Sequence, residues 1–436
     1  MDSVNRRHFL VRSGLALGSA LLAGTLPPSP SGARDPSYGD WDAVREQFPL
    51  SRDLIHLAGF FLASHPTPVR DAIERHRRGL DRDPIGYWFE HESKQEAAVL
   101  QTAAEYLGVR PTEIALTDST TMGLGLLYGG LTLREGQEIL TTVHDHYSTE
   151  TSLRLRAERT GAIVRRIPLY ENGATVTHDG LVAALLNGVT AETKVIAVTW
   201  VHSSTGVKLP IPDMARALRR VNASRAEKDR IVLCVDGVHA LGVEDFRLSD
   251  VGCDFFIAGT HKWMFGPRGT GLVWGDERAW PLANPIIPTF NTEAYDIWMK
   301  AVPPHPLPQS VYMTPGGFHS FEHRWALDEA FKFHQAIGKT RATERINALN
   351  QQLKQGLAKM DHVALRTPMS QELSAGIVCF EIQGMPPHVA VERLRQRGIA
   401  GSVTPYATQY VRLAPSLLNS PAEIDRTLKE IASLRT

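Results

Sequence analysis

Two hydrophobic periods alternate along the chain, and that alternation predicts most of its architecture. Seven short apolar runs stand out: EIALTD (113–118), EILTTV (138–143), AIVRRIPL (162–169), KVIAVTWV (194–201), IVLCVD (231–236), DFFIAG (254–259) and TGLVWG (270–275). Their length and their β-branched and aromatic content are those of buried strands. Text of helical period lies between several of them, such as LVAALLNG (181–188) and MARALRRVNAS (214–224). Strands alternating with helices predict an α/β fold built on a mostly parallel, seven-stranded sheet covered on both faces. In such sheets ligands gather at the carboxyl ends of the strands.

The flanking text is organised differently. A short helix is expected near 41–48, with helical patterns at 67–79 and 91–107. A proline-rich interval (281–315) marks the passage to a smaller C-terminal α+β domain. That domain should hold a long helical stretch (about 321–358), strands near 374–382 and 409–414, and a final helix opening at Ser420-Pro421. The expected division is therefore an N-terminal segment (34–66), a large domain (67–290) and a small one (291–436).

Residues 1–33 stand apart from this plan. Arg6-Arg7 precede Phe9-Leu10, a modest apolar run (14–26), Pro27-Pro28 and the small residues Ser31-Gly32-Ala33. This is the pattern of a cleaved twin-arginine (Tat) signal read by the Tat export machinery, which predicts a periplasmic protein. The run is short and glycine-rich against the ~20 apolar residues of a permanent span. Because the twin-arginine route carries folded proteins, it suits one that acquires a cofactor before export.

Composition narrows the function classes. In 436 residues, 43% apolar and 22% charged, the 47 basic side chains balance the 47 acidic ones. That balance gives no electrostatic case for nucleic acid or an anionic membrane. Three cysteines in apolar runs, with no CxxC or Cys/His cluster, predict buried packing residues and no disulfide framework or zinc site. The glycines of MGLGLLYGG (122–130) are spaced GxGxxxG, so they predict close helix packing on the sheet in place of a dinucleotide loop.

The chemistry concentrates after strand ends. Lys262 lies in GTHKWMFGPRGTG (259–271), and Asp236 ends the most apolar run 26 residues earlier. A lysine that forms a Schiff base needs a strand-end turn to hold it, and a buried acid needs a cationic partner such as a protonated pyridine nitrogen. Together they are what an enzyme using pyridoxal 5′-phosphate (PLP) requires. In DSTTMG (118–123), Ser119, Thr120 and Thr121 open a helix, as simple caps or as a phosphate cradle. His146 in HDHYS (144–148) follows the next strand and would lie over a flat ring, with His144 left as a packing or surface residue. Ser203 in HSSTG (202–206) is a turn former or a donor to a ring hydroxyl; His239 would buttress Asp236 or touch the ring oxygen, and His261 would reach the phosphate. Arg412 in YVRLAPSLLN (410–419) is either a carboxylate clamp or a surface ion pair.

With DSTTMG, HSSTGVKLPI, VDGVHALG, GTHKW and VRLAPSLLN in hand, the chain resembles the class V aminotransferase family of fold-type I PLP enzymes, over roughly residues 40–430. The branch is the one that includes isopenicillin N epimerase. The resemblance implies a homodimer in which Lys262 binds PLP covalently and Asp236 pairs with its ring nitrogen. It also implies that His146 stacks on the ring, that Ser203 and His239 face its oxygen, and that Thr120, Thr121 and His261 hold phosphate. Arg412 would take the substrate α-carboxylate. Cysteine desulfurases of the family carry a catalytic cysteine ahead of that arginine, whereas GIAGSVTPYATQ (398–409) has none, which argues against sulfur transfer. GGFHSFEH (316–323) also departs from the family's usual cross-subunit contact. Combined with the export signal, the resemblance implies a small-molecule substrate, either a free amino acid or the glutamate carried on a pyoverdine siderophore precursor.

Overall fold

The computed structural model describes residues 38–435, so the export-signal reading of residues 1–33 lies outside the described residues. In chain order the strands are β1 (Ile55–His56), β2 (Ile114–Thr117), β3 (Glu138–Thr142), β4 (Ile163–Ile167), β5 (Thr193–Thr199), β6 (Val232–Asp236) and β7 (Phe255–Gly259). β8 (Gly271–Gly275), β9 (Val363–Leu365), β10 (Val378–Ile382), β11 (Ile399–Ala400), β12 (Ser402–Val403) and β13 (Val411–Leu413) follow.

Each of the seven apolar runs forms a strand of one sheet, in the order β2-β8-β7-β6-β5-β3-β4. β7, β6, β5, β3 and β4 pair in parallel. β8 runs antiparallel to both β7 and β2. The parallel pairs follow from their connections: the helices Tyr147–Thr160, His178–Asn187 and Ile211–Asn222 carry the chain back to the amino end each time. Between β7 and β8 only residues 260–270 intervene, too few for a crossover, so the chain reverses directly. Lys262 sits in that reversal.

Successive residues of these strands enter two different cores. Leu140, Ile196, Val198, Leu233, Val235, Phe256 and Leu272 join one cluster, and Ile139, Val195, Ala197, Cys234, Phe255, Ile257 and Val273 join the other. A strand buried on both faces is mostly apolar along its length, which is why most of these runs read as nearly continuous; β4, only partly buried, carries Arg165 and Arg166. Gly123 of the helix Thr120–Gly130 approaches the sheet so closely that a Cβ there would meet Ile257 Cγ2 at 2.7 Å, as the glycine pattern predicts. Gly125, by contrast, faces open space.

The C-terminal part builds an antiparallel sheet, β12-β13-β10-β9, over a third core. β1 from the N-terminal segment pairs with β11 at its side. The expected helix over 321–358 is broken into Phe321–Trp325, Leu327–Ile337 and Lys339–Leu357. Gly338, at φ 92°, sets the second break in a conformation that side-chain-bearing residues avoid. The helix foreseen from 91 begins instead at Pro84, whose ring suits a first turn. The last helix, Pro421–Ala432, opens with a reciprocal capping box of Ser420 and Glu423. All three cysteines are buried and unpaired. Among the described residues no helix is long and apolar enough to cross a membrane, and no metal-holding cluster occurs.

Candidate active site

The turn that carries Lys262 is fixed from several sides. Thr260 N–H donates to Thr270 O at 3.1 Å, and Gly266 N–H donates back to Thr260 O at 2.9 Å. Phe265 N–H closes a tighter loop onto Lys262 O at 3.1 Å. Phe265 adopts φ 53°, a strained value for a residue with a side chain. Its buried ring is held edge-on by Phe48 at 4.8 Å and stacked by His334 at 5.7 Å. Packing thus holds the backbone shape that aims Lys262 inward.

Lys262 Nζ lies 3.4 Å from His239 Nε2. Trp263 Nε1–H donates to His239 Nδ1 at 3.2 Å, so neutral His239 carries its proton on Nε2, facing the lysine. Burial, joined by the charges of Lys262 and Arg412, drives the His239 pKa well below the ordinary range. Burial also lowers Lys262 to about 8, against the opposing charge of Asp236. Asp236, buried at the end of β6, is raised by burial to about 6. Its Oδ1 accepts Val238 N–H at 3.1 Å.

The neighbouring strand ends complete the floor. Ser119 spends its hydroxyl on its own helix, accepting Met122 N–H at 3.1 Å. Thr120 Oγ1 accepts Gly259 N–H at 2.8 Å, which leaves its O–H to donate outward. The exposed Thr121 hydroxyl meets Ser148 Oγ at 3.1 Å, and Ser148 in turn bonds His146. His146 caps the helix Tyr147–Thr160 by accepting Ser148 N–H on Nδ1, which places its proton on Nε2. Burial, Lys262 and Arg412 all lower its pKa. His144 packs as expected, stacked on Tyr170 at 3.9 Å.

Arg412, on β13, reaches the floor from the small sheet. Its Nη1 donates to Ser203 O at 2.9 Å and its Nε to Ser402 Oγ at 3.1 Å, while its guanidinium lies 4.4 Å over the Phe60 ring. It is 4% exposed, so the surface ion-pair reading does not hold. Ser203 Oγ shares a 2.7 Å hydrogen bond with Tyr406. The structure therefore brings Lys262, Asp236, His239, His146, Ser203 and Arg412 to one place, with Thr120, Thr121 and His261 beside it.

A family model described as aminotransferase class-V matches residues 90–404. The chain belongs to that family. Isopenicillin N epimerase of Streptomyces clavuligerus is 24% identical, covering 91% of this chain and 99% of its own. A probable cysteine desulfurase of Xylella fastidiosa is 26% identical, covering 84% of this chain and 86% of its own. Among solved structures, the cystine C–S lyase C-DES in complex with cysteine persulfide aligns with a TM-score of 0.78 at 21% identity, over 89% of this chain and 99% of that one. A cysteine desulfurase from Thermococcus onnurineus aligns at 0.74 and 19%, over 90% and 97%. The fold is that of the fold-type I PLP enzymes.

This class V aminotransferase-family protein is a PLP-dependent enzyme, and its own side chains fit the cofactor. A Cβ on Gly259 would strike Thr120 Oγ1 at 2.8 Å and His261 Cε1 at 3.0 Å. Only glycine there leaves Thr120 and His261 that close, at the amino end of an 11-residue helix where an anion is favoured. Asp236 would offer a buried acid to a ring nitrogen, and Lys262 the amine.

Sequence reasoning missed three residues of this class V site. Asp145, buried after β3, accepts Thr142 N–H, Thr142 Oγ1 and Thr141 Oγ1 on one oxygen, and Thr199 N–H and Oγ1 on the other. It ties β3 to β5 and sets the turn that presents His146. Two threonines just before an aspartate at a strand end were its visible signal. Trp263, beside the lysine, fixes the His239 tautomer. Tyr406 had no local signal at all.

Proposed function

We propose that the chain acts at Cα of an amino-acid substrate whose amine takes the place of Lys262 and whose α-carboxylate is held at Arg412. The observation that carries this is Arg412, a buried cation brought from the second sheet close enough to lower the pKa of Lys262. PLP, when bound, would supply the electron sink that makes a Cα proton removable. Around it, Asp236 keeps a proton on the ring nitrogen, and a cation there restores the charge that burial disfavours. Lys262, with its pKa at about 8, takes the Cα proton and returns it near neutral pH. His239 offers Nε2–H to the ring oxygen, and His146 covers the ring. Desulfuration lacks its nucleophile: Cys234, Cys253 and Cys379 are buried, and burial raises all three thiols, Cys379 to about 12.

The substrate we favour is the glutamate carried on a pyoverdine precursor, met in the periplasm after export by the twin-arginine route. The paired arginines ahead of an apolar run support the compartment. By resemblance to the pyoverdine-tailoring enzyme PvdN, the outcome is conversion of that glutamate to succinamide. Transamination of the same glutamate begins at the same Cα. The match over 99% of isopenicillin N epimerase favours epimerisation, or a related lyase reaction, as the second reading. We further propose a homodimer, supported by a run of exposed aromatics: Phe290, Trp298 at 76% and Phe318 at 84%.

The test is borohydride reduction of holoenzyme with peptide mass mapping, followed by incubation with siderophore precursor or with free amino acids in deuterated water. Cofactor fixed on the Lys262 peptide, none fixed in Lys262→Ala, and a mass change on the precursor are expected. Deuterium at Cα of free amino acids with no change in the precursor would favour the epimerase. A protein that binds no PLP would end both readings.

A further inference from the structure

Tyr406 lies in the loop between β12 and β13, 203 residues beyond Ser203, and the fold brings the two hydroxyls to 2.7 Å. Ser203 also touches Arg412 through its carbonyl oxygen, which accepts Nη1 at 2.9 Å. One residue thus joins phenol and guanidinium. The Tyr406 ring stands edge-on to His146, 6.3 Å away at 80°. The phenol therefore sits between the group that covers the cofactor and the group that binds the substrate's acid.

Two hydroxyls that share one hydrogen bond have one O–H to spare. A phenol is the stronger acid, so in the free enzyme Tyr406 donates to Ser203. A carboxylate is a far better acceptor than a serine hydroxyl, and bonds to charged groups are the stronger ones. We propose that Tyr406 is a substrate-binding residue: when an α-carboxylate docks on Arg412, the phenol turns its O–H to that carboxylate, and Ser203 donates back to the phenol oxygen. No bond other than hydrogen bonds changes. Burial pushes the Tyr406 pKa up to about 12, so the phenol remains a donor across the working range. On this view the outward donor of the pair serves the substrate, and Ser203 does not serve the ring oxygen. The inference rests on the reading of Arg412 as the carboxylate clamp.

The experiment titrates holoenzyme with two amines by visible absorbance. One is L-γ-glutamylmethylamide, which keeps the α-carboxylate; the other is 4-amino-N-methylbutanamide, which lacks it. Tyr406→Phe should weaken the first about tenfold, the worth of one charged hydrogen bond, and leave the second unchanged. Ser203→Ala should keep the preference for the carboxylate within about twofold. Equal weakening of both amines by Tyr406→Phe, or weakening of neither, overturns the proposal. So does a Ser203→Ala enzyme that loses the preference as fully as Tyr406→Phe, because the donor would then be Ser203. If Arg412→Lys binds both amines as the parent does, the clamp reading itself has failed, which is a separate result.

Discussion

Asp145 follows β3 and Asp236 ends β6 of the same sheet, with β5 between them, both buried, yet their surroundings differ in kind. Asp145 receives five hydrogen bonds from three threonines of β3 and β5. Asp236 receives one, from Val238 N–H, and burial raises its pKa to about 6. A carboxylate whose oxygens are fully engaged by the protein is part of the frame. A buried carboxylate given a single donor, with the charge of Lys262 nearby, keeps acceptor capacity to spare for a further cation. The contrast separates structure from chemistry within one sheet.

The sharpest way to break it is to remove each acid. Asp145→Ala strands buried donors and should cost ~3–5 kcal/mol in urea unfolding of the apoenzyme. Asp236→Ala should cost the apoenzyme less than ~1 kcal/mol while lowering turnover by about 100-fold or more. Equal losses of stability would erase the distinction. The next effect is one of pH. Only a neutral amine attacks the cofactor's carbonyl, so the rate of borohydride-trappable PLP uptake by apoenzyme should rise with pH through about 8, where Lys262 loses its proton. The charge of Asp236 raises that pKa, so in Asp236→Asn the rise should move to lower pH; an unmoved profile would show that the two groups do not sense each other. The smallest change belongs to the frame alone. Ser119→Ala removes a helix cap and should cost ~1 kcal/mol with PLP affinity unaltered; a loss of PLP would place Ser119 in the phosphate site.

What was legible beforehand was whatever a short stretch of chain decides. Six of the seven strands were readable because burial on both faces favours consecutive apolar residues, whereas β4, only partly buried and carrying Arg165 and Arg166, was readable from Ile163, Val164 and Ile167 alone. Asp236 and Lys262 were readable because each interrupts apolar text at its end. The break at Gly338 was less so, since the amphipathic pattern runs on through it. Ser203 was placed in the site, but its partner was not, because Tyr406 lies 203 residues away.

Although the short β1, β9, β11 and β12 escaped it, the sequence by itself determined the seven strands of the large sheet, their helical connections, the cluster of reactive residues at strand ends and the absence of a usable thiol. These depend on local period and on residue type. Only the tertiary structure decided that β8 enters antiparallel between β2 and β7, that Thr199 completes Asp145, and that Arg412 and Tyr406 arrive from the second sheet. Strand order and register choose hydrogen-bond partners across tens to hundreds of residues, and no local pattern records that choice.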